Sequence, residues 1–273
     1  GRTGAAARER STEGARLAMT ARALYLMHGG WLSLERSLLT AGIGKGEWIL
    51  VPIPMALVDT ADGFVLFDTG MNCYGIHDPE GMWGERARTI RPRLVPEDDV
   101  RVRLGELGVG LDEIHLVVNS HLHWDHCGGN RLFRHCPVVV QKPELAFARA
   151  PSGFVGGGYM RNHFDLPLGY EPIEGDQDLA PGVRVITTQG HTPGHQSLLV
   201  RLPSGARVVL CADAAYTYDT LRQHLLSDNV WDRTETERSL KRLRALMDDG
   251  ATVIPGHEPR LWEQLGPPPV RFV

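Results

Sequence analysis

The chain has 273 residues, of which 42% are hydrophobic and 23% are charged, and its formal net charge is −4. These values are ordinary for a globular protein with a sizeable core. No run of Lys or Arg suggests a nucleic-acid partner, and no apolar stretch approaches the ~20 residues of a membrane span. The four cysteines match no CxxC pattern and are too few for a disulfide framework. We therefore expect reduced thiols and place the protein in the cytoplasm.

The first eighteen residues differ in composition from the rest of the chain. Residues 1–18 are rich in Ala and Arg and lack the apolar segment of a secretory signal. Glu9 and Glu13 argue against a transit peptide. We interpret this segment as an extension or an expression remnant, and we predict that residues 19–273 form a single domain.

Apolar segments between turn signals predict the strands of this domain. The first strand is expected at residues 22–27, and further strands are predicted at residues 49–59, 63–68, 114–119, 137–141, 183–188, 196–202 and 206–212. Asp62-Gly63 and Pro203-Ser204-Gly205 are predicted as the hairpin turns between neighbouring strands.

Two helices are predicted from their periodicity and their end signals. Residues 96–107 precede Gly108, which can adopt the left-handed conformation that ends a helix. Residues 234–247 carry leucines on one face and open with Thr234-x-x-Glu237, the pattern of a capping box. Strands followed by a helix, repeated once, indicate an α/β fold of the αββα sandwich type.

Two segments carry no periodicity that assigns them to a helix or a strand. Residues 150–170 are rich in Gly and aromatic side chains, and they can form either a substrate-covering loop or a plain surface connection. Residues 72–93 include Trp83 and can either shape a pocket or form a dimer contact.

The stretch His121-Leu-His123-Trp-Asp125-His126 places four potential metal ligands within six residues. In an extended segment, residues i and i+2 point to the same side, so His121 and His123 can reach one ion together. Asp125 and His126 follow on the turn and can reach a second ion. Burying such a cluster without a metal would be costly. These nitrogen and carboxylate ligands favour Zn²⁺, with Fe, Mn or Co as alternatives.

This stretch resembles the HxHxDH motif of the metallo-β-lactamase superfamily. Members of that family also carry a third His, a bridging Asp and a final His, in that order along the chain. The chain offers His191 after the strand at residues 183–188, Asp213 at the end of the strand at residues 206–212, and His257 after Val253-Ile-Pro-Gly. The resemblance covers residues 20 to 260, and it implies two mixed sheets with helices on their outer faces.

The resemblance also implies how two metal ions are held. It assigns His121, His123 and His191 to the first ion. It assigns Asp125, His126 and His257 to the second ion, and Asp213 to both. Asp68 ends an apolar strand and is implied to orient the ligand histidines through hydrogen bonds, which makes them better ligands. For His195 we expect such a supporting or loop hydrogen bond in preference to direct ligation.

Asp213-Ala-Ala-Tyr216 resembles the N-acyl homoserine lactonases of this superfamily, whose Tyr hydrogen-bonds the substrate carbonyl. Other stretches resemble the same group: residues 24–30, 173–176, 190–197 and 239–243. The resemblance implies a quorum-quenching hydrolase in which a hydroxide between the two metal ions opens the lactone ring. Tyr216 would stabilise the oxyanion, and Asp125 would protonate the leaving ring oxygen. We expect a small-molecule lactone as the partner and leave a homodimer open.

An acyl chain on such a lactone requires an apolar channel near the metal ions. Trp124 is the best-placed lining residue because it lies inside the metal motif. Four other large apolar side chains are expected near the mouth of this channel: Met27, Trp31, Phe154 and Tyr159.

Other functions on the same site stay open. Glyoxalase II, a thioester hydrolase, shares the seven-ligand pattern, and other lactonases or esterases would use the same chemistry. The β-lactamases themselves fit poorly because they usually lack the bridging Asp. Di-iron oxygen and nitric-oxide reductases normally carry a flavin domain, and nucleases carry an added domain and a basic surface; the sequence shows none of these.

Overall fold

The computed structural model describes residues 19–153, 155–223 and 225–273. The predicted extension at residues 1–18 lies outside the described residues. Within the described ranges, no helix combines the length and the apolar character needed to cross a membrane.

Strands and helices are interspersed along the described residues. The strands are β1 (Ala23–Glu35), β2 (Trp48–Thr60), β3 (Gly63–Phe67), β4 (Pro92–Arg93), β5 (Ile114–Val118), β6 (Pro137–Gln141), β7 (Gly169–Ile173), β8 (Gln177–Ala180), β9 (Val183–Thr187), β10 (Gln196–Arg201), β11 (Arg207–Leu210), β12 (Thr252–Ile254) and β13 (Val270–Phe272). The helices are α1 (Pro79–Trp83), α2 (Arg86–Thr89), α3 (Val100–Glu106), α4 (Lys142–Arg149), α5 (Arg161–Phe164), α6 (Tyr218–Gln223), α7 (Arg233–Asp248) and α8 (Leu261–Leu265).

The strands form two mixed sheets. The first sheet has the order β13-β1-β2-β3-β5-β6-β7, and β4 pairs with β1. Its strands are antiparallel from β13 to β3 and parallel from β3 to β7. The second sheet has the order β12-β11-β10-β9-β8, in which β11 and β12 are parallel and the other neighbours are antiparallel.

The two sheets face each other across the main hydrophobic core. Leu26, Val58 and Val118 of the first sheet pack in one buried cluster with Val185 and Leu198 of the second sheet. Each buried side chain of this kind contributes about 1.5–3 kcal/mol. The strands alternate between this core and the outer faces, as the period of two requires.

Helices cover the outer faces of both sheets. Val100 and Leu104 of α3 pack on Leu57 and Leu66 of the first sheet. On the second sheet, Leu240 and Leu243 of α7 pack in one cluster with Ile186, Leu199 and Val209. The predicted αββα sandwich is confirmed.

Both predicted helix starts were wrong. The helix predicted at residues 96–107 is a 3-10 turn at Pro96–Asp98 followed by α3, because Asp99 is extended and its side chain caps the N–H of Arg101. The helix predicted to open at Thr234 opens instead after Asp232, whose carboxylate accepts the N–H of Glu235 at 2.9 Å. A helix starts where a side chain satisfies its unpaired N–H groups, and Asp competes well for that position.

Strand β1 is longer than predicted and changes its pattern midway. Its pairing with β2 shifts between His28 and Trp31, where Gly30 has a φ of 104°. Such a bulge re-aims the side chains that follow it. Leu32 and Leu34 therefore join a cluster near the functional site, whereas residues before the shift pack in the two sheet cores.

Candidate metal centre

All seven predicted metal ligands converge at one end of the sandwich, where the loops that follow the strands meet. The stretch from His121 to His126 follows β5 in the first sheet, and the other ligands follow strands β9, β11 and β12 of the second sheet. Every one of the seven is buried. Their donor atoms form two groups, within each of which all atoms lie no more than 4.8 Å apart: His121, His123, His191 and Asp213; and Asp125, His126 and His257.

Each of the five histidines has one ring nitrogen held by a hydrogen bond on the side away from the centre. Three of them donate to backbone carbonyls: His257 Nδ1 to Pro52 (2.8 Å), His191 Nδ1 to Asn229 (2.9 Å) and His123 Nε2 to Val155 (3.1 Å). A carbonyl oxygen only accepts, so the proton of each ring sits on that nitrogen. The other nitrogen of each ring is left with a lone pair that faces the centre.

Asp68 orients the remaining two histidines. Its carboxylate accepts from His126 Nδ1 at 2.8 Å and from the Ser120 hydroxyl and N–H, both at 2.7 Å. His121 Nδ1 in turn lies 2.9 Å from the Ser120 hydroxyl. Asp68 has a φ of 55°, a left-handed conformation that places its side chain under the motif. These contacts place Asp68 against the ligand histidines that the resemblance implies it orients, and that role stays a prediction.

Asp213 lies between the two groups with one oxygen toward each. Its Oδ1 is 3.2 Å from both His126 Nε2 and His257 Nε2. Its Oδ2 is 3.3 Å from His191 Nε2 and 3.7 Å from His121 Nε2. A carboxylate in this position can bridge two ions.

The unpaired acceptors of the centre fit metal ions. His191 Nε2 and His123 Nδ1 are 3.0 Å apart, although both nitrogens present lone pairs. His121 Nε2, His126 Nε2 and Asp213 Oδ1 are buried and have no hydrogen-bond partner among the described residues. Buried acceptors without partners destabilise a fold, and cations would satisfy all of these at once. The donor set therefore fits two metal ions.

The electrostatics of the centre also favour positive charge. Burial alone would raise the pKa of Asp213, but His126 and His257 hold that pKa well below its usual range. Burial alone would lower the pKa of His257, but Asp213 and Asp125 raise it above the usual value. The carboxylates stabilise a cation at the positions that the imidazole nitrogens face.

Tyr216 presents its hydroxyl beside these groups. Its oxygen accepts a hydrogen bond from the Asn229 side-chain amide at 3.0 Å and lies 3.2 Å from His191 Nδ1, a donor. Because neither the Asn229 amide nitrogen nor the protonated His191 Nδ1 can accept a hydrogen bond, the phenolic O–H is available to a ligand in the cavity that Tyr216 lines. Burial, followed by the charge of Asp213, raises the pKa of Tyr216 well above its usual value, so the phenol stays protonated at neutral pH.

A cavity of about 90 Å³ opens above the centre. Asp125, Asp213 and Tyr216 contribute its polar wall. The other wall is mostly apolar and includes Leu32, Leu34, Leu38, Leu39, Ile90, Trp124 and Val155. Trp124 thus lies where the sequence placed it.

The model of the metallo-beta-lactamase superfamily matches residues 48–257 of this chain. The chain belongs to this superfamily. It is 34% identical over 252 residues to the N-acyl homoserine lactonase AttM of Rhizobium johnstonii, covering 89% of this chain and 96% of that protein. It is 32% identical over 244 residues to an N-acyl homoserine lactonase of Bacillus cereus, covering 88% and 94%.

Solved structures show the same likeness. An N-acyl homoserine lactone hydrolase with the product N-hexanoyl-L-homoserine bound at its catalytic metal centre aligns with a TM-score of 0.84 and 29% identity. That alignment covers 93% of this chain and all of the other. The predicted resemblance to this group of superfamily members is confirmed.

Two of the residues predicted to line the pocket lie elsewhere in the structure. Met27 packs with Met55 in the core under α3, because it precedes the bulge in β1. Trp31 packs against His28 with the two rings tilted and their centroids 5.4 Å apart, and it is not among the described residues that line the cavity. Phe154 lies outside the described residues.

Two predicted residues support the centre from outside the cavity. Tyr159 packs edge-on against His123, with ring centroids 4.6 Å apart, and donates its hydroxyl to Glu144 at 2.7 Å. It therefore buttresses a ligand and does not line the cavity. His195 is buried 5.2 Å from the His121 ring, and its Nδ1 bonds the Thr188 hydroxyl at 2.9 Å.

Sequence reasoning missed three residues at this site: Asn229, Glu144 and Arg86. Asn229 bonds both Tyr216 and His191. Glu144 is buried beneath the motif, and Arg86 lines the cavity. A Glu soon after the apolar strand β6 was a signal for Glu144, whereas the positions of the other two depend on long-range packing.

Proposed function

We propose that this superfamily member is a dinuclear metal-dependent hydrolase that opens the lactone ring of N-acyl homoserine lactones. The observation that carries the proposal is the Tyr216 phenol beside seven convergent metal-ligating groups, four of which line the same cavity as Tyr216. The similarity to N-acyl homoserine lactonases along nearly the whole chain supports it. A related structure that holds N-hexanoyl-L-homoserine at its metal centre supports the substrate class.

In this proposal the ligands divide as the two groups of donor atoms do. His121, His123 and His191 would hold the first ion. Asp125, His126 and His257 would hold the second ion, and Asp213 would contribute to both. We propose Zn²⁺ for both positions because imidazole and carboxylate donors suit it. Asp68 and Ser120 fix the rings of His126 and His121 so that their lone pairs stay aimed at the ions.

Bound metal ions would supply a water activated at neutral pH and Lewis acidity toward the lactone carbonyl. Tyr216 donates a hydrogen bond to the carbonyl oxygen as negative charge develops there, since the Asn229 amide occupies its acceptor side. Asp125 takes up the proton that the attacking water releases and passes it to the ring oxygen as the ring opens. Leu32, Leu34 and their apolar neighbours in the cavity hold the acyl chain.

The test compares three substrates on the zinc-loaded protein: N-octanoyl homoserine lactone, S-lactoylglutathione and a chromogenic cephalosporin. We expect a kcat/KM for the lactone above ~10⁴ M⁻¹s⁻¹, a typical enzyme value, with little turnover of the other two. Rapid thioester hydrolysis with the lactone near background would move the assignment to a glyoxalase II-like thioesterase. No hydrolysis of any of the three substrates would refute the proposal.

Two further parts of the proposal concern the setting of the enzyme. All four cysteines are unpaired, which supports a reducing compartment such as the cytoplasm. Homodimer formation stays a prediction, and light scattering at micromolar concentration tests it directly.

A further inference from the structure

One arginine side chain enters the wall of the otherwise apolar part of the cavity. Arg86 begins α2, within the segment at residues 72–93 for which the sequence predicts no regular structure. Its Nε donates to the carbonyl of Gly157 at 2.6 Å. Arg86 of α2 and Ile90, the C-cap residue of that helix, line the cavity together with Val155 and Gly158. The two segments without sequence periodicity thus meet at the cavity, and Arg86 joins them.

The loop opposite α2 is shaped to admit this side chain. A Cβ atom at Gly157 would lie 2.5 Å from Arg86 Nη2, and a Cβ atom at Gly158 would lie 2.4 Å from Cδ2 of His123. Both distances are shorter than real contacts allow. The two glycines therefore let one short backbone segment pack between the guanidinium and a metal-ligating ring.

The charge of Arg86 lacks a carboxylate partner. Arg88, on the same helix, pairs with Glu80 at 2.7 Å. Among the described residues, no carboxylate lies within ion-pair distance of Arg86, and its hydrogen bond to the chain is made by Nε alone. Burial lowers the pKa of Arg86, while Asp125 and Tyr216 of the centre act in the opposite direction. The guanidinium is therefore charged, near the reacting groups, and has terminal N–H groups to spare.

A purely hydrocarbon ligand would displace water from these N–H groups without replacing its hydrogen bonds, and this loss would weaken binding. An acceptor oxygen at the same place would satisfy them with a charge-assisted hydrogen bond. Resting on the proposed function, we propose that Arg86 is a specificity-determining residue that binds a carbonyl oxygen of the substrate's acylamino group. That oxygen belongs either to the amide or to an oxo group next to it on the acyl chain.

The experiment compares Arg86→Met with wild type on three lactones that share one ring. They are a γ-lactone with a plain alkyl substituent, N-octanoyl homoserine lactone and N-(3-oxooctanoyl) homoserine lactone. We expect a loss of about 10- to 100-fold in kcat/KM on the acylamino lactones, the effect of one hydrogen bond to a charged group. The alkyl lactone should stay within about twofold of wild type. The matched control is Arg88→Met, on the same short helix, which should change none of the three values.

The outcomes separate the parts of the inference. A loss confined to the oxo substrate identifies the oxo group as the partner, and an equal loss on both acylamino lactones identifies the amide. Equal loss on all three lactones, or no loss on any, would overturn the role of Arg86. Should Arg86→Met fold poorly, Arg86→Gln carries the same comparison. A wild-type enzyme that hydrolyses none of the lactones would refute the proposed function itself.

Discussion

A single buried carboxylate connects three segments around the metal centre. Glu144 Oε1 accepts the N–H of Leu122 at 3.0 Å and the hydroxyl of Tyr159 at 2.7 Å. Its Oε2 accepts the hydroxyl of Thr192 at 2.6 Å and the N–H of Gly194 at 3.2 Å. Burial raises the pKa of Glu144, and these four hydrogen bonds act against that rise. The loops that carry His123 and His191 are therefore held by one fully bonded side chain.

Asn229 sets the direction of the Tyr216 proton. We predict that Asn229→Asp lowers kcat/KM for an N-acyl homoserine lactone by about 10- to 1000-fold, the range for losing one oxyanion donor. A carboxylate at this position accepts a hydrogen bond from the phenol, so the phenolic O–H no longer points toward the substrate. Tyr216→Phe should cause a loss of similar size. The measurement is steady-state hydrolysis by the zinc-loaded variants.

A double variant decides whether the two residues act as one unit. If Asn229 works through Tyr216, the combined variant loses little more activity than either single variant. Multiplicative losses would show that Asn229 acts independently of the phenol. The thermal unfolding midpoint of each variant serves as the control for folding.

His163 gives the protein an acid-labile position away from the metal centre. Its ring is buried, and neither nitrogen has a hydrogen-bond partner among the described residues. Burial, assisted by Arg131, lowers the pKa of His163 from 6.5 to about 4. Above pH 6.5 the ring is neutral in both states. Between pH 6.5 and 4 the unfolded chain binds the proton more readily, so stability falls as the pH falls.

We predict that His163→Leu removes this part of the pH dependence. At pH 5 the wild-type His163 should cost about 2 kcal/mol of stability relative to pH 7.5, as linkage with these pKa values gives. The measurement is urea unfolding of both proteins at the two pH values. Other histidines contribute equally to both proteins and cancel in the comparison. Parallel pH profiles for the two proteins would contradict the prediction.

At the scale of elements, helix α7 holds the loop that carries His191. Ser239 of α7 donates its hydroxyl to the Gln189 carbonyl at 2.6 Å. The N–H groups of Trp231 and Asp232, just before the helix, donate to the Gly190 carbonyl at 2.8 and 3.0 Å. The start of α7 is thus part of the support of the metal centre.

The N-cap of α7 can be tested by comparing two substitutions. Asp232→Ala removes the bond to the Glu235 N–H and should destabilise the protein by about 1 kcal/mol. Thr234→Ala should be neutral or slightly stabilising, because Thr234 lies inside the helix and Ala has the higher helix propensity. Chemical denaturation of both variants gives the two values. A larger loss from Thr234→Ala would restore the capping box that the sequence predicted.

The elements that the sequence predicted are those with their own local signals. Strands β2, β3, β5 and β6 could be predicted because they are apolar runs between turn signals. The metal motif could be predicted because four potential ligands follow one such run, β5. Strands β7 and β8 could not be predicted, because their residues are largely half-buried or exposed and carry little apolar periodicity. The direction of side chains was also predicted wrongly at β1. Because this strand has a bulge after His28, Met27 does not line the cavity, whereas Leu32 does.

Residues that reach the site from irregular segments were beyond sequence reasoning. Arg86 and Asn229 follow no apolar strand and belong to no spaced motif. Their positions depend on contacts with Gly157 and Tyr216, which are 71 and 13 residues away along the chain. Chemistry at strand ends could therefore be predicted, whereas the substrate-facing wall could not.

At the scale of the whole molecule, the metal centre joins the two sheets at one end. The motif from His121 to His126 follows β5 of the first sheet, whereas His191, Asp213 and His257 follow strands of the second. Without cations, inward-facing lone pairs and carboxylates from both sheets repel one another across this end. With cations, the same groups hold the sheets together, so metal binding should be coupled to global stability.

We predict that removing the metal by chelation lowers the thermal unfolding midpoint by about 10 °C and that zinc restores it. At free metal about 1000 times Kd, binding adds about 4 kcal/mol, and each kcal/mol shifts the midpoint by about 2–4 °C at this chain length. Calorimetry across a series of free zinc concentrations measures the shift. The control is Asp213→Asn, which weakens the ligand shared by both groups and should flatten the dependence on zinc. A wild-type unfolding midpoint that does not change with zinc concentration would mean that the two sheets are held together without the metal.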